Sequence, residues 1–220
     1  MRTAGVDDAG RGAVIGPLVI AGVLLEARDL PCLVEVGVKD SKCLSPHKRE
    51  HLAAEIKKLA VGLHVEKLLP EEIDKVVTTG RKLHRLNRLE AQTMAKVIEA
   101  LKPDVVYVDA SDVLAERFGH HIAENLSFKT EIVSEHKADK KYPIVSAASI
   151  IAKVERDNAI SELQQKYGCI GCGYPTDLQT LDFLEKWIAE FGSYPDFVRK
   201  SWKPAKRLKS EASSKQTRII

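Results

Sequence analysis

The chain has few cysteines and no long apolar segment. Its four cysteines among 220 residues are too sparse for a disulfide framework. The longest apolar run, residues 13–25, contains two glycines and a proline and is too short to span a bilayer. Asp7 and Asp8 lie where a signal peptide would be purely basic. These absences favour a soluble, cytoplasmic protein with no membrane partner.

The chain as a whole also has little excess of one charge, but its charges are unevenly distributed along the sequence. The net charge is +3, from 34 Lys plus Arg against 31 Asp plus Glu. Residues 199–220 carry eight basic residues and one acid, so this segment is +7 and residues 1–198 sum to −4. We therefore predict a main domain over residues 1–198, followed by a basic tail over residues 199–220.

Apolar periodicity predicts alternating strands and helices. Strands are predicted at residues 3–7, 18–25, 63–69, 105–109 and 128–133. Helices are predicted to begin at Pro46 and to cover about 83–101, 143–166 and 177–190. Residues 168–174 form a glycine-rich loop. The interleaving of the two kinds of element indicates an α/β fold with a mixed sheet.

Acidic residues occur where two of these strands end. Asp7 and Asp8 close the first strand, and Asp109 closes strand 105–109. Carboxylates gathered at strand ends repel one another and bind hard cations such as Mg²⁺ or Mn²⁺. Neighbours in a strand point to opposite faces, so we expect Asp8 to lie in the turn that follows. Solvated acids without a metal explain the positions equally well.

A glycine-rich turn follows the first strand. Gly10, Gly12 and Gly16 do not have the spacing of a dinucleotide-binding motif, and Pro17 leads into a strand instead of a helix. The turn either brings backbone groups close to the sugar or phosphate of a ligand, or is a tight turn without one.

Taken together, the motifs resemble type 2 ribonuclease H (RNase HII), especially its archaeal form. The opening motif reads GVDDAGRG from Gly5 to Gly12. Further similar motifs follow in the family's order: VKDSK at 38–42, YVD at 107–109, EHKAD at 135–139, SAASIIAK at 146–153, GCGYP at 171–175 and WK at 202–203. The resemblance extends over almost the whole chain.

This resemblance implies an RNase H-like fold, in which helices flank a five-stranded mixed sheet and the C-terminal part is helical. It implies an endoribonuclease that cuts the RNA strand of RNA–DNA hybrids and single ribonucleotides in duplex DNA, as in ribonucleotide excision during replication and repair. The implied catalytic and metal-binding carboxylates are Asp7, Asp8, Asp109 and Asp139. Only the family distinguishes Asp139 from Glu135 or Asp112.

The chemistry implied is in-line hydrolysis by two divalent ions, Mg²⁺ or Mn²⁺, giving 5′-phosphate and 3′-hydroxyl ends. The implied substrate-binding residues are Gly10, Arg11 and Gly12 at the 2′-hydroxyl, Tyr174 at the sugar, and Ser41, Lys42 and Lys137 at phosphates. Asp8 replaces the glutamate usual in the family. Its side chain is one methylene shorter, so we expect an altered metal dependence.

Three features of the sequence each allow more than one interpretation. Cys169 and Cys172 are free thiols, a local disulfide or half of a zinc site. His136 contacts the scissile phosphate, assists product release or has no part in the reaction. The basic tail binds nucleic-acid phosphates, binds a sliding clamp, or is a frayed terminus. The clamp interpretation depends on residues 216–220, which partly resemble a clamp-binding peptide.

Two other functions compete with the ribonuclease. One is a nuclease or resolvase of the same fold that acts on DNA alone, and the glycine turn with Tyr174 argues against it. The other is a non-catalytic nucleic-acid-binding protein, supported only by Asp8. We expect the protein to be a monomer.

Overall fold

A computed structural model describes residues 1–38, 44–79 and 85–217 of the chain. The chain divides into two compact units. The first consists of Met1–Ala9, Val19–Lys67 and Leu83–Glu155, and the second of Gly10–Leu18, Leu68–Lys82 and Arg156–Ile220. The domain boundary at residue 198 stays a prediction. Within the described residues, no helix combines the length and apolar character needed to cross a membrane.

The first unit is built on a five-stranded mixed sheet, as the sequence predicts. Its strands are β1 (Arg2–Ala9), β2 (Leu18–Glu26), β3 (Gly62–Leu68), β4 (Val105–Asp109) and β5 (Glu131–Glu135), in the order β3-β2-β1-β4-β5. Strand β1 runs antiparallel to β2 and parallel to β4, and β4 runs parallel to β5.

The helices of the described residues are α1 (Leu30–Glu35), α2 (Pro46–Leu59), α3 (Pro70–Thr78), α4 (Arg85–Leu101), α5 (Ala115–Ala123), α6 (Ala138–Lys141), α7 (Pro143–Tyr167), α8 (Leu178–Phe191) and α9 (Lys203–Thr217). The predicted helices correspond to α2, α4, α7 and α8. The apolar pattern does not indicate α3, because it predicts a strand over residues 63–69 and no helix directly after it. Pro70 is in fact the first residue of this helix, where its missing N–H costs nothing.

The last strand lies further along the chain than the pattern predicted. It begins at Glu131, whereas the prediction placed it at residues 128–133. The preceding residues hydrogen-bond elsewhere: the Ser127 backbone N–H donates to Glu99 Oε2 at 3.0 Å, and the Thr130 hydroxyl to the Asp104 carbonyl at 3.1 Å. Strand pairing therefore starts only after this turn.

Apolar side chains of the sheet pack into two clusters. On β2, Val19, Ala21 and Val23 belong to the cluster that includes residues of α2 and α7. The alternate residues Ile20 and Leu24 belong to the cluster formed with α4 and α5. This period of two is the pattern of a strand buried on both faces. It makes the sheet a rigid support for the side chains at its strand ends.

Glycine at position 5 allows α7 to approach the central strand. A Cβ atom on Gly5 would lie 2.3 Å from the carbonyl oxygen of Ile144 and 2.6 Å from the nitrogen of Val145. The first turn of α7 therefore contacts the backbone of β1 directly. This close approach holds the N-terminal half of α7 beside the strand that carries Asp7.

The second unit has its own apolar core. Leu184 and Ile188 of α8 pack with Ala205 and Leu208 of α9, and with Val14 from the segment after β1. The basic tail is therefore not a frayed terminus over the described residues. It is largely a helix, with apolar residues in the core and Lys203, Lys206 and Lys209 exposed.

Candidate metal centre and substrate loops

Three carboxylates converge in the first unit. Asp7 lies on β1, Asp109 ends β4, and Asp139 lies on the short helix α6. Each offers an oxygen atom, and these atoms all lie within 4.8 Å of one another. The parallel register pairs Val6 with Val108, which sets Asp7 and Asp109 side by side. We call Asp7, Asp109 and Asp139 the acidic cluster.

The acidic cluster is electrostatically unfavourable as long as no cation offsets its charge. Asp7 is 5% exposed and Asp139 is 6% exposed. Burial, helped by the negative charges of Asp109 and Asp139, raises the pKa of Asp7 to about 7, against the lowering effect of the hydrogen bond from the Ser149 hydroxyl. Hard oxygen donors held together in this way fit a divalent cation such as Mg²⁺ or Mn²⁺.

Backbone geometry brings Asp139 to the strand ends. Lys137 takes a left-handed conformation with φ of 57°, which turns the chain into α6. The N–H of Ala138 then donates to Asp109 Oδ1 at 3.1 Å. The one-turn helix is thereby tied to a carboxylate of the neighbouring strand. No sequence periodicity marks so short a helix, which is why only the family resemblance identified Asp139.

Two residues of α7 support Asp7 and were not among the predicted site residues. The hydroxyl of Ser149 hydrogen-bonds to the Asp7 carboxylate. The ammonium group of Lys153 donates to Ser149 Oγ at 2.9 Å. Ser149 is 1% exposed, as is Ser146 three residues earlier, in a largely apolar stretch of the helix. Serines inside this stretch, one of them four residues before a lysine, were the available signal in the sequence.

Asp8 does not lie in a turn, contrary to the prediction. It is part of β1 and pairs with Ile20 of β2, because the antiparallel ladder continues to Ala9. Its backbone N–H donates to Asp7 Oδ1 at 2.8 Å. Among the described residues, the three carboxylates that approach within 4.8 Å do not include Asp8. Its assignment as a fourth metal ligand stays a prediction.

The two alternatives to Asp139 are engaged in other interactions. Glu135 accepts a hydrogen bond from the Tyr142 hydroxyl at 3.1 Å and pairs with Lys141. Asp112 is buried, which alone would raise its pKa, but hydrogen bonds from Arg117 and Asn87 hold the pKa of Asp112 well below its usual range. These acids already have local partners that stabilise their charge.

His136 makes local contacts with backbone. Its Nδ1 lies 3.3 Å from the carbonyl oxygen of Ala110, and its Nε2 lies 3.2 Å from that of Val113. The imidazole therefore bridges the loop that follows β4. This arrangement gives the ring a structural role at the end of the strand that carries Asp109.

The glycine turn (Gly10–Gly12) belongs to the second unit and is held by an arginine. The side chain of Arg199 is fully buried, and its Nη1 donates to the Arg11 carbonyl at 2.9 Å. Its Nε and Nη2 donate to the Gly16 carbonyl at 3.2 and 3.1 Å. Although Arg199 belongs to the predicted basic tail, its charge is buried and is not part of an exposed basic surface. Its guanidinium stabilises the backbone around the turn.

The tyrosine loop (Gly168–Tyr174) lies in the same unit as the glycine turn. The carbonyl of Gly173 accepts the N–H groups of Val14 at 2.8 Å and Ile15 at 3.1 Å. The guanidinium carbon of Arg156 lies 4.3 Å from the centroid of the half-buried Tyr174 ring. The structure thus brings together Tyr174 and the segment that contains the glycine turn.

Other predicted site residues are exposed or lie outside the described part. Lys137 is exposed immediately before α6. Ser41 and Lys42 lie outside the described residues, and so does the end of the clamp-like segment 216–220. Cys169 and Cys172 are exposed free thiols. Of the interpretations offered for this pair, the structure matches the free thiols.

Comparison with known proteins gives consistent similarities. The sequence profile described as Ribonuclease HII matches residues 4–205. Ribonuclease HII of Thermococcus onnurineus (strain NA1) is 47% identical over 213 residues, or 96% of this chain and 91% of the relative. The ribonuclease H2 from Pyrococcus horikoshii OT3 has a TM-score of 0.89 at 41% identity, covering 97% of this chain and 99% of that one.

A second solved structure is that of a complex. The PCNA:RNase HII complex from Archaeoglobus fulgidus gives a TM-score of 0.84 at 44% identity, covering 92% of this chain and 96% of the matched chain. These neighbours confirm the RNase H-like fold that the sequence motifs implied.

Proposed function

Because the chain belongs to the ribonuclease HII family, we propose that it is an endoribonuclease that hydrolyses the RNA strand of RNA–DNA hybrids and also cuts at single ribonucleotides in duplex DNA. The observation that carries the proposal is the acidic cluster, whose three carboxylates offer oxygens within 4.8 Å of one another. Carboxylates placed together in this way can hold the metal ions that a cation-dependent hydrolase uses.

The carboxylates Asp7, Asp109 and Asp139 would hold two divalent ions, Mg²⁺ or Mn²⁺, with Asp8 as a further ligand. When bound, the ions supply an activated water and stabilise the leaving oxygen, so that the products end in 5′-phosphate and 3′-hydroxyl. The protein's own part is to keep the carboxylates in place. Ser149 hydrogen-bonds to Asp7 and Lys153 to Ser149, while the Ala138 N–H holds Asp109.

Recognition of the ribose is assigned to the second unit. A 2′-hydroxyl both donates and accepts hydrogen bonds, so backbone N–H and carbonyl groups suit it. We assign this role to Gly10, Arg11 and Gly12, with Tyr174 at the sugar. This assignment is supported by contacts that hold both groups in place: Arg199 hydrogen-bonds to the Arg11 carbonyl, and Arg156 lies against the Tyr174 ring.

Contacts with phosphates are assigned to Ser41, Lys42 and Lys137, where they position the substrate without reading its sequence. We also assign phosphate contacts to the exposed lysines of α9, whose contribution to affinity should fall as salt rises. The Archaeoglobus fulgidus relative was solved with PCNA, which supports a sliding clamp as partner. We assign this contact to residues 216–220 on their partial resemblance to a clamp-binding peptide.

The proposal is tested by cleavage of three labelled duplexes: DNA with one ribonucleotide, an RNA–DNA hybrid and DNA alone. We expect the first two to be cut with Mg²⁺ or Mn²⁺, no cutting with EDTA, and no cutting of DNA alone. Asp7→Asn and Asp109→Asn should each lower the rate by on the order of 10³-fold or more. Asp182→Asn is the matched control, because Asp182 is an exposed acid of α8 paired with Lys186.

Three results would contradict the proposal. Cleavage of the all-DNA duplex at a rate similar to that of the hybrid would favour the alternative nuclease or resolvase, which acts on DNA. Metal-independent binding without cleavage of any duplex would favour the non-catalytic protein. Activity that survives both Asp→Asn substitutions would exclude the acidic cluster as the metal centre.

A further inference from the structure

Arg156 is a buried cation of the second unit for which the motif comparison assigns no role. It is 4% exposed. Its Nη2 donates to the carbonyl of Cys172 at 2.7 Å, and its guanidinium carbon lies 4.3 Å from the centroid of the Tyr174 ring. Its Nη1 lies 3.8 Å from a carboxylate oxygen of Asp157. The side chain therefore holds both the backbone and the aromatic ring of the tyrosine loop.

The same side chain also packs against the glycine turn. A Cβ atom on Gly10 would lie 2.8 Å from both Cδ and Nε of Arg156, and one on Gly173 would lie 3.1 Å from Nη2. Both glycines have positive φ, 90° and 83°. Larger residues at either position would displace the arginine or strain the backbone. Glycines at 10 and 173 thus make the space that Arg156 fills.

Core stability alone does not account for an arginine here. Its Nε is buried and has no hydrogen-bond partner among the described residues. Apolar residues of similar volume commonly replace buried charged groups without loss of stability. What an apolar residue does not reproduce is the combination of a carbonyl hydrogen bond and a flat cationic surface under an aromatic ring.

We propose that Arg156 is a positioning residue for substrate specificity, which fixes the Tyr174 ring relative to the glycine turn. The inference rests on the proposed function, since it acts on the residues assigned to the ribose. The ring gives shape to the space for the sugar only if its orientation is fixed. The Arg156 guanidinium lies over one face of the Tyr174 ring and also holds the Cys172 carbonyl of the same loop. These two contacts together favour one position of the ring.

A double-mutant cycle tests whether Arg156 acts through the ring. Arg156→Met and Arg156→Lys are each combined with Tyr174, Tyr174→Phe and Tyr174→Ala, and kcat and KM are measured on DNA with one ribonucleotide and on an RNA–DNA hybrid. Lysine keeps the charge but not the planar fork. Arg28→Met, which removes an exposed arginine, is the matched control.

We expect Arg156→Met to lower kcat/KM on the single-ribonucleotide duplex by on the order of 10- to 100-fold, mostly in kcat, because a displaced group costs rate more than binding. The same loss should occur in the Tyr174→Phe background, which keeps the ring. In the Tyr174→Ala background the loss should shrink to about twofold or less, because the ring is already gone. Arg156→Lys should give a smaller loss with the same dependence on the ring.

The outcomes separate this inference from the proposed function. If the wild type cuts neither substrate, the proposed function is wrong. If the wild type is active and the losses multiply in the Tyr174→Ala background, Arg156 acts independently of the ring and the inference is overturned. Should Arg156→Met fail to fold by circular dichroism, the Arg156→Lys arm decides by the same criterion.

Discussion

The two units solve opposite electrostatic problems. In the first, the acidic cluster brings together like charges, and burial raises the pKa of Asp7 to about 7. In the second, Arg199 and Arg156 are buried cations whose hydrogen bonds go to the carbonyl oxygens of Arg11, Gly16 and Cys172. The first arrangement gains stability when a cation arrives. The second uses its hydrogen bonds to give the backbone a fixed shape.

The difference suggests a division between a ligand-dependent and a preorganised part of one protein. Charges that repel store free energy that metal binding releases. Charges satisfied by carbonyl groups contribute rigidity instead, because moving the backbone would break several hydrogen bonds at once. Substitutions in the two regions should therefore change stability in opposite directions.

The largest effect is expected from Asp7→Asn without metal. The raised pKa of Asp7 means that its neutral form favours folding at low pH, and that this contribution is lost as pH rises from about 4 through about 7. Asparagine does not ionise. Above pH 7 the free energy of unfolding of the variant should therefore exceed that of the wild type by up to about 4 kcal/mol, since one pKa unit corresponds to about 1.4 kcal/mol.

Urea unfolding in EDTA from pH 4 to pH 8 measures this difference, which should vanish near pH 4. Added Mg²⁺ or Mn²⁺ should stabilise the wild type more than Asp7→Asn. Asp182→Asn again serves as the control. A variant less stable than the wild type at pH 8 would show that the acidic cluster is not strained.

The opposite sign is expected from Arg199→Met. Methionine keeps much of the buried volume but removes the donors to the Arg11 and Gly16 carbonyls. Leaving buried carbonyls unsatisfied should lower the free energy of unfolding by about 3 kcal/mol. The loss should be the same with and without metal. Arg28→Met, an exposed substitution, should change it by less than about 0.5 kcal/mol.

The smallest effect is expected from Asp8→Glu, which restores the residue usual in the family. The longer side chain changes the reach of a carboxylate whose backbone N–H is bonded to Asp7. We expect activity to be retained and the Mg²⁺ or Mn²⁺ concentration for half-maximal rate to shift by less than about tenfold. Superimposable metal titrations of the two proteins would exclude Asp8 from metal use.

The sequence predicted those parts of the fold that have a clear periodicity. Helices α2, α4, α7 and α8 and strands β1 to β4 follow from the spacing of their apolar residues, whereas α9 was not predicted from its spacing. Short elements such as α6, which has four residues, were not predicted, because a single helical turn carries no periodic signal. The start of β5 was mispredicted because tertiary hydrogen bonds of Ser127 and Thr130 determine where the strand begins, and local propensity does not.

For the site, position at a strand end identified Asp7 and Asp109, because parallel strands present such ends together. Asp139 required the family. The roles of Ser149, Arg156 and Arg199 depend on side-chain contacts between segments far apart in sequence, and neither composition nor spacing expresses them. Buried polar residues inside apolar stretches were the nearest signal.

The pairing of β1 with β4 also bears on how the molecule forms. Thr3 pairs with Val105, so about a hundred residues must be made before the central strand meets its parallel partner. The hairpin of β1 with β2 needs only residues 2–26, so we expect it to be able to form first, with one edge of β1 still open. Asp7 and Asp109 remain apart during that interval, and their repulsion arises only when the sheet closes. Cation binding by the acidic cluster would therefore report a chain whose synthesis has passed α6.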